Sequence, residues 1–328
     1  MGTSQAYPST DPRSEFAPAD PSVDAMVEQL QRDFAAGGHR CYVLVDPAKQ
    51  RADDDPFDGP LFKVWPRTVL HVQFWSFPRA HKPYLLALDL SRYLDSEILR
   101  ASVRMALEDR RDAVIDREQG HRIAGWLAAS APADSLVRAL GRHTIQSSGP
   151  GEAYPFRYYD MRTLTWFWPL LRAEQRQALF GPLAAWYILD ARHQLQKLQA
   201  PEGGERTAAL ALDAAQWRKL RRIGVVNRAL ATYQKTHERA PDTPQLSTAW
   251  NAAGRALDLG LDDADDMAAL VSHALQWHPL FDTHPVVDAL LKRRDSDQSY
   301  RGVIGELEPA QIDRIRGELQ ERTLRGER

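Results

Sequence analysis

The segment from Tyr154 to Asp190, YPFRYYDMRTLTWFWPLLRAEQRQALFGPLAAWYILD, restricts the possible folds more than any other part of the chain. Three of the nine tryptophans (Trp166, Trp168 and Trp186) fall in it, beside Phe156, Phe167 and Phe180. So much rigid apolar surface has to be buried against other elements. Alternation predicts a strand at its start, with Phe156 and Tyr158 on one face and Arg157 and Tyr159 on the other. Asp160 stands where that strand ends. Its carboxylate suits the free N–H groups of a helix's first turn. Leu164, Phe167, Trp168 and Leu171 then recur at helical spacing as one apolar stripe. Pro169 removes a donor and crowds the turn before it, so this helix must kink or stop early. A second short helix is predicted from Ala173 to Phe180. Gly181-Pro182 closes it, because glycine accepts a left-handed cap and proline cannot continue the helix.

Strands and helices alternate upstream of this segment. Strands are expected at residues 41–46 (CYVLVD), 83–89 and 125–130. Helices are expected at 23–35, from Asp95 or Ser96 to Arg111, and at 134–140. Short strands or irregular packing suit the aromatic stretch 61–77. Residues 47–60 read as a surface loop, and Asp53-Asp54-Asp55 within it as a solvated acidic run. Residues 1–22, rich in Pro, Ser, Asp and Ala, read as a disordered tail. Downstream, residues 199–207 (QAPEGGERT) form the clearest linker. Helical periodicity then runs to the end of the chain. It includes an Asp213/Gln216 capping box, a break at 238–244, and the stripe Met267, Leu270, Val271, Ala274 and Leu275. The expected architecture is an α/β lobe over 23–198, a mixed sheet with flanking helices, followed by an all-helical lobe over 208–328.

Composition removes several functional classes. The formal net charge is −2, which gives no bulk attraction for nucleic acid or an anionic membrane. No apolar run approaches the roughly 20 residues that span a bilayer, so no membrane insertion is expected. The N-terminus lacks the apolar core of a secretory signal. The single cysteine, Cys41, cannot form an internal disulfide and sits in an apolar run, which suits a reduced cytoplasm.

The candidates for chemistry each have a plainer reading. Arg157 and Asp160 read as an ion pair within the lobe plus a helix cap. The alternative is an enzyme that uses the two in a cleft with a histidine of the second lobe. His273, His278 and His284 cluster around Asp282, but their spacing fits no helical metal motif, and they read as surface or capping residues. No glycine-rich phosphate loop and no G-x-S-x-G elbow occurs. Arg218, Lys219, Arg221, Arg222 and Arg228 read as a solvated helix face. The alternative is a nucleic-acid-binding regulator that uses helix 217–228. No catalytic, cofactor or metal residue is assigned.

The F-R-Y-Y-D of 156–160 is followed by a leucine-rich broken helix, E-Q-R at 174–176, F-G-P-L at 180–183 and Trp186. This pattern resembles the signature of a bacterial family, domain of unknown function 4123, known as chaperones or adaptors for type VI secretion effectors. Phe156, Arg157, Tyr159, Asp160, Arg162, Gln175, Gly181 and Pro182 fit that signature. Met161 departs from its usual proline and Leu179 from a phenylalanine. Tyr42, Leu44, Asp46 and Ala48, then Pro83-Tyr84-Leu85, and finally Phe281, Asp282 and Pro285 fit weaker parts of the pattern. The resemblance runs over roughly 24–318. It implies a non-enzymatic cytoplasmic adaptor, without cofactor, that binds an effector, often by its N-terminal region, and helps load it onto the spike protein. The signature residues would then be structural. Trp65, Trp75, Trp166, Trp250 and Trp277 are the candidates for lining a partner-binding concavity between the lobes.

Overall fold

The computed structural model describes residues 21–48, 51–74, 76–110, 121–149, 152–201, 210–295 and 298–325. The tail expected over 1–22 falls outside these residues except for Pro21 and Ser22, which open the first helix. Trp75 and most of the 199–207 linker also lie outside them. Both expected lobes are present.

The first lobe is built on a six-stranded sheet. Its strands are β1 (Arg40–Val45), β2 (Arg67–Val69), β3 (Tyr84–Leu88), β4 (Ile123–Ala129), β7 (Leu183–Leu189) and β8 (Leu195–Leu198), in the order β2-β3-β1-β4-β7-β8. Every adjacent pair is antiparallel. β3 and β4 both oppose β1, so they run parallel with β1 between them, and helix α3 (Tyr93–Glu108) joins them as a split crossover. β4 is buried along its whole length, which requires cover on both faces. Pleating divides the aromatic load. Trp126 opposes Tyr187 and Leu127 opposes Trp186 in the ladder, so the two indoles point to opposite faces. On the first face, Trp126 Nε1 donates to Ser102 Oγ of α3 at 2.8 Å. Phe34 of α1 (Pro21–Gly37) meets the Tyr187 ring at 5.5 Å on that same face. The second face receives the segment that follows residue 155, with Tyr158 edge-on to Trp186 at 6.2 Å.

That segment differs from its sequence reading at one end. The strand lies earlier, as β6 (Glu152–Pro155), paired in a separate hairpin with β5 (Ile145–Gly149). Residues 156–160 form a turn in which Asp160 N donates to the Arg157 carbonyl at 3.1 Å. Alternation therefore fails there, and Tyr158 and Tyr159 are both buried. Pro155 has no N–H to continue the ladder. The rest agrees with expectation. Asp160 caps helix α5 (Met161–Leu170), which stops one residue past Pro169. Helix α6 (Ala173–Phe180) ends at Gly181 with φ +53°, a conformation that favours glycine. The apolar run 183–189 that follows is β7. It lacks alternation because both its faces are covered, so periodicity alone does not reveal it.

Other boundaries also move. Helix α2 (Gly59–Val64) occupies part of the aromatic stretch, and α4 (Ala133–Gly141) matches its prediction. α3 starts at Tyr93, so neither Asp95 nor Ser96 caps it. Instead the buried Asp95 carboxylate accepts from Asp89 N at 2.8 Å.

The second lobe holds α7 (Ala214–His237), α8 (Thr243–Asp258), α9 (Ala264–Gln276), α10 (Pro285–Arg293), α11 (Tyr300–Ile304) and α12 (Pro309–Leu324). The Asp213/Gln216 capping box forms as read. The division between the two hydrophobic cores runs through α7 itself. Ile223 belongs to the first core and Val225 to the second. One continuous helix serves both lobes.

Candidate functional site

The signature residues Phe156, Arg157, Tyr159, Asp160 and Arg162 lie at the turn between β6 and α5, while Gln175, Gly181 and Pro182 belong to α6 and its end. Arg157 does not pair with Asp160, as the sequence suggested. Its Nε donates to Asp46 Oδ2 at 3.1 Å, and Nη2 reaches the same carboxylate. Asp46 follows β1 and also accepts from Ala48 N at 3.1 Å. Asp160 turns to Arg162, receiving Nε at 3.1 Å and Nη2 at 2.7 Å while its Oδ1 accepts the capping N–H of Arg162 at 2.9 Å. Burial alone would raise the Asp160 pKa. The Arg162 guanidinium outweighs it and holds the carboxyl well below its ordinary range. Burial likewise pulls Arg157 down, but Asp46 dominates and the guanidinium is held above its usual value. The chain reverses sharply at 156–160, and the two pairs tie that turn to β1 and to its own helix. Sequence gave no sign of the Asp46–Arg157 partnership, since 111 residues separate the two.

A second buried network lies beside it, and no spacing in the sequence indicates it. Arg122 donates to Asp55 at 2.6 Å, to Asp109 at 2.8 Å and to Glu108 at 3.2 Å. Its carbonyl accepts from Asp46 N at 2.8 Å, which joins the two networks. The acidic run 53–55 is therefore not a solvated loop. Asp55 is buried on Arg122 and accepts from the N–H groups of Phe57 and Asp58. Asp53 pairs with Arg51 at 2.8 Å and Arg67 at 3.4 Å. Only Asp54 keeps a largely exposed carboxylate. Desolvation drives the Asp109 carboxyl up to about 6 despite its Arg122 partner.

The tryptophans divide between sites. Trp166 and Trp250 stack face to face, with centroids 5.1 Å apart and planes 4° from parallel. Trp166 Nε1 also donates to Asn227 Oδ1 at 3.1 Å. This pair is a lobe-to-lobe contact, and the inner face of each ring is taken up within the chain. Beside it, Gln175 and Gln216 exchange amide hydrogen bonds of 3.0 and 2.7 Å, and Arg172 pairs with Asp213 at 2.8 Å. The signature glutamine thus joins the lobes. Trp65 packs, half-buried, on the first core. Trp277 stacks on His273 at 4.0 Å in the second lobe. Neither makes a ring contact with the Trp166–Trp250 pair.

The histidines and the basic helix have separate partners. His273 Nδ1 lies 2.8 Å from Tyr300 OH, His278 Nε2 lies 3.3 Å from Thr323 Oγ1, and His284 caps α10 while meeting Glu318 at 3.0 Å. Among the described residues no group of three metal-ligating side chains is gathered. On α7, Arg218 pairs with Asp258 at 2.6 Å, Arg228 pairs with Asp265, and Arg222 lies over the Trp250 ring. Much of this basic face is neutralised by the neighbouring helices. Among the described residues no helix is long and apolar enough to cross a membrane.

A family model matches this chain. Its description reads "Domain of unknown function (DUF4123)", and it covers residues 41–178. The match begins at β1 and ends inside α6. It takes in Asp46, Arg157, Asp160, Arg162 and Gln175 and stops short of Gly181-Pro182 and the whole helical lobe. Neither curated proteins nor solved structures gave a match.

Proposed function

We propose that the protein is a non-enzymatic adaptor that holds a type VI secretion effector and helps present it to the spike protein. The match over residues 41–178 carries this reading. The charged signature supports it, because Arg157 and Asp160 are committed to internal partners that hold a turn. An enzyme that used this pair would need at least one of these groups directed at a substrate. The lobe junction supports it as well. A stacked indole pair and a reciprocal amide pair hold the lobes together, which suits a preformed binding surface. Trp65 and Trp277 remain half-buried in separate lobes. Exposed Phe57, Val64 and Val69 lie near Trp65 in sequence on the α2–β2 stretch and add apolar surface there.

The test is co-expression with type VI secretion effectors from the same genome, followed by size-exclusion chromatography. The expected result is one co-eluting complex, with the effector insoluble or degraded when expressed alone. An effector that is soluble alone and never co-elutes with this protein contradicts the proposal. A salt-dependent gel shift with duplex DNA would instead favour a regulator using helix 217–228.

A further inference from the structure

Among the described residues two arginines are buried, Arg122 and Arg110. Arg122 meets three carboxylates. Arg110 meets none among the described residues. Its Nη2 donates to a neutral acceptor, the Leu189 carbonyl, at 2.9 Å, and its Nε is buried without a partner. The nearby carboxylates are already committed: Asp160 to Arg162, Asp190 to Arg192 and Asp109 to Arg122. A buried guanidinium without a counter-ion is a standing cost.

Arg110 lines a hollow of about 310 Å³ at the lobe junction, together with His193, Gln234, Glu238 and Arg239. Two of these, His193 (φ +62°) and Glu238 (φ +52°), are non-glycine residues in the left-handed region. Such strain gathers at functional sites. Arg239 is held in place, its Nη2 donating to Tyr233 OH at 2.6 Å and its guanidinium resting over that ring. Arg110 and Arg239 bring positive charge to the hollow, and Asp160, Asp190 and Asp109 act on Arg110 in the opposite sense. Burial and then Arg162 lower the Arg110 pKa to about 10, and burial and then Arg110 lower His193 to about 4. Glu238 and the C-terminal end of α7 add negative charge on one side of the hollow.

We propose that this hollow binds an anionic oxygen group, a carboxylate or a phosphate, between Arg110 and Arg239. The geometry is that of a charge-assisted site, one buried cation and one surface cation around a space of small-ligand size. The anion could be a free ion or an acidic group of a polypeptide, and the two sources share this chemistry. The site stands on this chain's own geometry and does not depend on the adaptor reading.

The test is isothermal titration of the full chain in low-chloride buffer at neutral pH. Inorganic phosphate and a short acetylated oligoglutamate peptide are titrated separately. Saturable binding of phosphate alone assigns a free anion, and binding of the peptide alone assigns a polypeptide carboxylate. Arg239→Gln is expected to weaken binding about tenfold, the loss of one charge-assisted pair. Glu238→Gln is expected to tighten it, because an opposing charge is removed. Arg110→Gln should abolish binding. That variant could also fail to fold, so the two exposed positions decide the matter. If neither probe binds the wild-type chain, or if both exposed variants bind as the wild type does, the proposal is overturned.

Discussion

Replacing Asp160 by asparagine separates two roles held by one carboxylate. The amide oxygen can still accept from Arg162 N, so the cap on α5 survives. The ion pair with Arg162 does not survive. Removing one member of a buried pair costs about 3–5 kcal/mol. The Arg162 side chain keeps 33% of its surface in solvent. Water takes over part of its solvation, and we expect a loss of about 2–3 kcal/mol. Asp160→Ala also removes the cap and should lose about 1 kcal/mol more. Urea unfolding followed by tryptophan fluorescence measures both variants. Pairing each with Arg162→Met gives the coupling energy. The pH dependence supplies an independent check. The folded-state pKa of Asp160 lies below its unfolded value of about 4. The unfolded chain therefore binds the extra proton at low pH. The stabilisation is complete above that unfolded value and is lost as pH falls through it toward the folded-state pKa. Wild type should lose midpoint below about pH 4 more steeply than Asp160→Asn. The reasoning is refuted if the asparagine variant costs under about 0.5 kcal/mol, or if it costs as much as alanine.

Three further outcomes are expected. Trp166→Ala and Trp250→Ala should each cost about 3–4 kcal/mol, and the double mutant should fall short of their sum by about 1 kcal/mol from the lost stack; strict additivity would mean the rings do not interact. Gly125 has φ +131°, and a Cβ there would sit 2.5 Å from Trp186 Nε1 and the Tyr187 carbonyl oxygen. Gly125→Ala should therefore cost about 3 kcal/mol or more and leave little soluble protein, and an unchanged urea midpoint would sink that account. Cys41 is 1% exposed and burial pushes its thiol up, so a thiol reagent should leave the native protein unmodified and react fully in urea.

Much of the local plan was legible because its causes are local. A carboxylate before a helix caps it, a proline near a helix end stops it, and Gly181 permits the reversal that follows. These effects act within a few residues, and α5, α6 and the Asp213 cap appear where they were read. The pairing of charges was not legible. Arg157 lies three residues from Asp160 yet bonds to Asp46, and Asp55 lies in an acidic run yet serves Arg122. Which carboxylate meets which guanidinium depends on where the sheet brings β1 and β4 together, and no spacing rule encodes that.

The tryptophans show the same division. Their number and spacing required burial somewhere and marked the segment after Ala153 as central. Whether a given indole faces a core, another indole or a partner depended on the sheet's pleat and on α7 running through both lobes. Residue type sets how strongly a side chain avoids water, and that is a property of the sequence. Which surface it meets is set by the arrangement of elements distant in the chain, and only the folded structure decides it.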